Sequence, residues 1–179
     1  MKNKKKLFLL DAFALIYRAY FAFAKNPRVN SKGLETSAVF GFVNTIIEVI
    51  KKEKPTHFAV VFDRKKPTIR HIEFPEYKAH RDAMPSGIKD ALPYIDTLLD
   101  AFNIPKLYKD GYEADDVIGT LAQQAELEGF QVYMMTSDKD FAQLVTDNIF
   151  MYRPGNKWQP TSIWGVPEVL EKFDIERVE

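Results

Sequence analysis

The sequence predicts an α/β fold with a mostly parallel central sheet flanked by helices, and three observations carry that prediction. Short, nearly continuous apolar runs recur at residues 7–10, 58–62, 104–108, 132–136 and 149–152, the pattern of strands buried on both faces of a parallel sheet. Between them lie helix-length segments with apolar residues at i, i+3 and i+4. Acidic residues stand at or just past the ends of several runs, where open α/β sheets place their ligands.

Taken in order, the basic start at Lys2 and Lys4–Lys6 leads into the first strand. Asp11 cuts the apolar run after four residues, too soon for a secretory leader, and no later stretch is apolar for long enough to span a bilayer. Segment 12–24 carries Phe13, Ile16, Tyr17, Tyr20 and Phe21 on one helical stripe. Thr36 or Ser37 is placed to cap a helix ending near Glu53, before Pro55. Ser86 is placed to cap 86–102, with Pro93 delaying or kinking it. Segment 114–128 ends at Gly129, and 166–173 opens with Pro167. The strand at 104–108 is the weakest of the five, because Pro105 and Lys106 lie inside it. Residues 63–84 connect a strand to a helix through 22 residues, longer than the roughly 12–15 beyond which a loop is functional or disordered.

Composition narrows the chemistry. The chain has 179 residues, 25 basic and 25 acidic, with 46% hydrophobic content and no cysteine. One domain over 1–179 is expected. The absence of cysteine excludes disulfide frameworks, thiolate zinc sites, iron–sulfur clusters and a cysteine nucleophile. It fits a reducing, cytoplasmic setting.

The carboxylates are the sharpest feature. Asp11 and Asp63 directly follow the first two strands, Asp138 and Asp140 follow the fourth, and Glu113, Asp115 and Asp116 open the helix after the third. Singly, each is explained as a turn residue or a helix-terminal acid. Jointly, in a parallel sheet, the seven converge on one edge, where their mutual repulsion calls for divalent cation. None of the three histidines (57, 71 and 80) adjoins them in sequence, so the donors are hard oxygens suited to Mg²⁺ or Mn²⁺. Glu113 and Asp116 share a helical face while Asp115 points elsewhere; Asp138 and Asp140 share a face if locally extended. That splay suits two cations, the arrangement used in phosphodiester hydrolysis.

Positive charge collects opposite. Arg64, Lys65, Lys66, Arg70, Lys78 and Arg81 face only Glu73 and Glu76 in their segment, with Phe74 and Tyr77 interleaved. Basic and aromatic groups on one connection suit single-stranded nucleic acid, although a solvated loop has the same composition. Arg18, two helical turns past Asp11, could reach a phosphate or merely cap the surface.

These residues also form a recognisable series. Asp11 with Arg18, Val-Val-Phe-Asp at 60–63, Pro-Thr-Ile-Arg-His at 67–71, Tyr-Lys-Ala-His-Arg at 77–81, Gly-Tyr-Glu-Ala-Asp-Asp at 111–116 and Thr-Ser-Asp-Lys-Asp at 136–140 occur in this order. The chain resembles the N-terminal 5′-nuclease domain of bacterial DNA polymerase I, kin to flap endonucleases and phage 5′–3′ exonucleases within the PIN-like group. The resemblance implies a metal-dependent 5′–3′ exonuclease or flap endonuclease acting on DNA ends, flaps and junctions, leaving a 5′-phosphate. It implies that Asp11, Asp63, Glu113, Asp115, Asp116, Asp138 and Asp140 hold divalent metal, with Asp11, Asp116 and Asp138 also counted as catalytic. Lys78 would act beside the scissile phosphate, Tyr77 would stack on a base, and Arg18, Arg70 and Arg81 would contact phosphates. Segment 63–84 would form an arch or gateway for a 5′ single strand. The family continues into a helix–hairpin–helix element preceded by two more aspartates, so this chain is expected to be a fragment with an incomplete second metal site. Ser137 and Ile69 replace the family's common Gly and Phe. A monomer working beside polymerase domains is expected; the rival readings are a PIN-like ribonuclease and a catalytically incomplete DNA-binding fragment. A haloacid-dehalogenase phosphatase is disfavoured because Phe13 stands where its second aspartate would be.

Overall fold

The computed structural model describes residues 5–64, 66–80, 82–155 and 159–178. Among the described residues, six strands form one sheet: β1 (Lys6–Asp11), β2 (His57–Val61), β3 (Lys106–Leu107), β4 (Gln131–Met135), β5 (Ile149–Arg153) and β6 (Ser162–Trp164). Their spatial order is β3-β2-β1-β4-β5-β6. All neighbours pair in parallel except β6, which runs antiparallel to β5. The helices are α1 (Ala12–Ala22), α2 (Ser37–Glu53), α3 (Ile69–Glu73), α4 (Ser86–Ala101), α5 (Ala114–Leu127) and α6 (Val166–Phe173).

The continuous apolar strands are explained by a sheet covered twice. Phe8 and Leu10 of β1 pack with Ile16, Phe42, Ile46, Ile95 and Leu99 from α1, α2 and α4. Leu9, one residue between them, packs with Ile118 and Ala122 of α5 and with Met134 on the other face. Alternation of period two is therefore present but invisible in hydropathy, because both faces are dry. Stacked rings of Phe8 and Tyr133, with centroids 4.7 Å apart, tie β1 to β4 inside the first cluster.

Several boundaries differ from expectation for identifiable reasons. The third strand shrinks from 104–108 to two residues at the edge, where its carbonyls at Pro105 and Leu107 accept from Val60 and Phe62. Pro105 has no N–H to give, so the edge is where it can stand. Pro93 lies inside α4, which starts at Ser86 rather than being capped by it. Thr36 precedes α2 without a side-chain cap; its hydroxyl donates instead to the Arg28 carbonyl. Gly129 takes φ +81 just past α5, as its sequence position required. The long 63–84 connection contains α3 and a run of turns, and β6 is a strand too short, at three residues, for its sequence to announce.

The order of strands sets the site. The chain builds outward from β1 through β2 to β3, then crosses to β4 on the opposite side. This reversal leaves a crevice at the carboxyl ends of β1 and β4, and Asp11 is the last residue of β1.

Candidate active site

Each acid reaches the crevice because its backbone position also solves a local hydrogen-bonding problem. Asp11 caps α1: its Oδ1 accepts from the Ala14 amide at 3.0 Å. Asp63, two residues past β2, reaches across to accept from the Ala114 amide at 2.8 Å, holding the first turn of α5. Asp138 caps the six-residue 3₁₀ helix Lys139–Leu144 and accepts from the Asp140 amide at 3.0 Å. Asp140 thus sits in a helical turn rather than an extended one, and the expected shared face with Asp138 does not form. It lies exposed on that turn, joined to Asp138 through its amide.

α5 then divides its acids between two environments. Asp115 faces the other aspartates. Burial raises its carboxyl to about 6, with the charges of Asp11, Asp63 and Asp138 adding to the rise and Lys78 opposing it. Asp11, only 7% exposed, is raised in the same way: burial first, offset by hydrogen bonds from Ala14 and Thr136, with Asp63 and Asp138 contributing repulsion. Asp115 thus feels the charges of three aspartates, and Asp11 those of two, with the four acids coming from four different segments.

Glu113 and Asp116 meet cations instead. Arg70 on α3 grips Asp116 through two hydrogen bonds of 2.7 and 2.6 Å, a bidentate fork. Lys78 Nζ donates to Glu113 Oε1 at 2.7 Å, and the Tyr77 hydroxyl donates to Glu113 Oε2 at 2.9 Å. Arg70 holds the Asp116 carboxyl below its ordinary value. Glu113, 6% exposed, would be raised by burial, but Lys78, Tyr77 and Arg70 together bring it below its ordinary value. Glu113 and Asp116 do share a face and Asp115 does diverge, as the three-residue spacing required.

The basic segment is thereby largely neutralised by acids at 110–116. Arg64 and Lys66 both donate to Asp110, at 2.8 and 2.9 Å, and Arg64 lies 4.1 Å over the Tyr108 ring. Tyr77 does not present a free ring: its hydroxyl is bound to Glu113, and its ring stands nearly perpendicular to that of His71 with centroids 5.3 Å apart. Lys78 adopts φ +59, an uncommon conformation for a side-chain-bearing residue. Lys65 and Arg81 lie outside the described residues. Arg18 points to protein rather than to the acids, donating to the carbonyl of Pro154 at 2.6 Å and also to that of Gly155.

Among the described residues, no three acidic or histidine side chains are gathered at the spacing of a ready-made cation site. The donor chemistry nevertheless fits a hard divalent cation: four carboxylates at one edge, two of them held above their ordinary pKa by burial and by neighbouring aspartates. One further contributor carried no assigned role in the sequence. Thr136, 3% exposed, donates its hydroxyl to Asp11 Oδ2 at 3.2 Å and accepts from the Asp138 amide at 3.1 Å. It couples two acids brought together from opposite ends of the chain. Its position between β4 and Asp138, in Thr-Ser-Asp-Lys-Asp, was the available signal.

Fold and site together define a doubly wound α/β domain with an acidic crevice at its topological switch point. Residues 6–174 match the family model described as "5'-3' exonuclease, N-terminal resolvase-like domain", and the chain belongs to that family. It is 46% identical over 147 residues to the DNA polymerase I of Bacillus subtilis strain 168, covering 82% of this chain and 16% of that protein. It is 37% identical over 172 residues to the 5'-3' exonuclease of Aquifex aeolicus, covering 96% of this chain and 57% of that one. The chain thus spans about a sixth of the polymerase and just over half of the exonuclease. The fold resembles the bacteriophage T5 D15 flap endonuclease in a pseudo-enzyme-product complex with DNA and metal ions, at TM-score 0.70 and 18% identity, covering 98% of this chain and 63% of that one.

Proposed function

We propose that this chain is the acid-bearing core of a divalent-metal-dependent 5′ nuclease that hydrolyses phosphodiesters at DNA 5′ ends and flaps. The observation that carries the reading is the convergence of Asp11, Asp63, Asp115 and Asp138 at the switch point, with the Asp115 carboxyl pushed up to about 6 by burial and by the other three. Such a group of acids is unfavourable alone and favourable around hard cations. Mg²⁺ and Mn²⁺ are the ions this oxygen-only donor set would take. A divalent cation there would activate water and offset charge on the leaving oxygen.

The chain's own residues supply the rest. Asp11, Asp63, Asp115 and Asp138 would hold the cation, with Asp140 at the rim. Thr136 orients the Asp11 carboxylate by donating to it. Glu113 and Asp116 would join the donor set when Arg70 and Lys78 turn to the phosphates of an incoming strand. Lys78 would then stabilise charge at the scissile phosphate, and Tyr77 would stack on a base. Arg81 would meet the backbone, and 63–84 would frame the strand's path. In the whole protein this core would act as a monomeric unit beside polymerase domains in the cytoplasm; no described helix is long and apolar enough to cross a membrane.

Cleavage of a labelled 5′-flap DNA tests the reading, run with Mg²⁺, Mn²⁺ or EDTA and with Asp138→Ala. Cutting that needs the cation and disappears in the variant is expected. Cutting that survives EDTA or the variant, or absence of cutting while DNA and cation both bind, would overturn it.

A further inference from the structure

The five residues of α3 bring Arg70 onto Asp116, yet a helix this short does not hold itself together. Its orientation has to be imposed at its ends. At its start, the Ile69 amide donates to the Gly111 carbonyl at 2.9 Å. Thr68, the residue before it, is 6% exposed, and its amide donates to Nδ1 of His71 at 3.3 Å. The Thr68 hydroxyl meets the same nitrogen at 2.7 Å. His71 thus stands at the third helical position, where a glutamate or glutamine ordinarily reaches back to close the first turn.

These partners fix the tautomer. An amide N–H can only donate, so Nδ1 is bare, the Thr68 hydroxyl donates to it as well, and the ring proton is on Nε2. The ring also serves a second partner. It stands at 81° to the Tyr77 ring, with centroids 5.3 Å apart, and the Tyr77 hydroxyl donates to Glu113 at 2.9 Å. One imidazole therefore touches both the start of the helix that aims Arg70 and the aromatic that holds Glu113. Arg70 and Tyr77 reach the acids, and His71 acts through them.

We propose that His71 is a positioning residue for this site. Its bare Nδ1 sets the angle at which α3 aims Arg70, and its ring seats Tyr77. The role rests on the nuclease reading for what Arg70 and Tyr77 are positioned to grip, a nucleic-acid strand; the brace itself is a property of the chain alone. Without His71, Arg70 loosens from Asp116 and Tyr77 from Glu113. Two acids are then freer to meet a cation, while the groups that grip the strand are less well placed.

Those two effects have opposite signs, which a general loss of structure does not produce. In His71→Ala, Mn²⁺ binding by calorimetry should tighten severalfold, with circular dichroism confirming the fold. KM for a 5′-flap DNA should rise about fivefold, the order of one ordinary hydrogen bond, with kcat little changed, because Arg70 and Tyr77 grip the strand rather than the reacting atoms. His71→Gln restores an acceptor for the Thr68 amide but no ring for Tyr77. It should return Mn²⁺ affinity towards the parent value and leave KM between parent and alanine variant. Imidazole ¹⁵N spectra in EDTA, at about pH 8.5 where the ring is ordinarily neutral, should show the signal lost in His71→Gln to be an Nε2–H tautomer. An Nδ1–H ring at 71, Mn²⁺ affinity and KM that worsen together, or failure of glutamine to rescue overturns the proposal. If the parent cuts no flap while tautomer and Mn²⁺ shift are as expected, the nuclease reading alone fails. If the parent cuts and those two are missing, the brace alone fails.

Discussion

Asp115 and Asp116 are adjacent on one helical turn, yet their carboxyls move in opposite directions. Asp115 rises to about 6 because burial and three aspartates surround it. Asp116 falls because the Arg70 fork grips it. A step of about 100° around the helix separates a cluster of acids that repel one another from a pair of acids already compensated by cations. The difference teaches that one edge of the sheet holds two kinds of acid: one group that needs an external cation, and one that the 63–84 segment supplies with its own.

The largest expected effect breaks the repelling group. Asp115→Asn should lower flap cleavage by roughly a hundredfold or more, while raising the melting temperature in EDTA by removing a charge that three neighbours oppose. Cleavage within a few-fold of the parent would remove Asp115 from the machinery.

The second sharpens the contrast through pH. In EDTA, the folded chain keeps a proton on Asp115 up to about pH 6, whereas the unfolded chain releases it near the ordinary value of 3.8. Raising the pH through that window therefore destabilises the fold. Asp116 acts with the opposite sign: its lowered value contributes stability above the ordinary pKa and loses it as the pH falls below. Melting temperatures should fall from pH 4 to 6.5, less steeply in Asp115→Asn. A flat profile, or an unchanged slope in the variant, would count against the clustering.

Thr136→Val should cost about 1–2 kcal/mol of stability, because it leaves the Asp138 amide unserved and removes a donor from Asp11. Urea denaturation measures it, and a loss below the error of the fit would make Thr136 a space-filler. Smallest is Arg70→Lys, which replaces the fork with a point charge. Arg70 is part-exposed, so the loss of stability should be under about 1 kcal/mol. Mn²⁺ binding by calorimetry should tighten severalfold as Asp116 is freed; weaker binding would falsify the idea that Arg70 competes with cation.

Much of this was legible. Asp11 and Asp63 were visible as strand-end acids because parallel strands buried on both faces stand out as unbroken apolar runs. The split between Asp115 and its neighbours followed from helical spacing alone. The destination of the basic segment was not legible: Arg70, Tyr77 and Lys78 read as open to nucleic acid, but they close onto Glu113 and Asp116, more than 30 residues away in sequence. β6 gave no signal either, since a strand of three residues is too short to show a period.

The sequence by itself determined the layered α/β architecture, the edge on which the acids gather and the hard-oxygen character of that edge, because hydrophobic period and residue order are local properties of the chain. Tertiary structure alone decided which acids stay uncompensated and which are already paired with cations. Those outcomes depend on who neighbours whom across the crevice, and electrostatic interaction falls with distance in space rather than with separation along the chain.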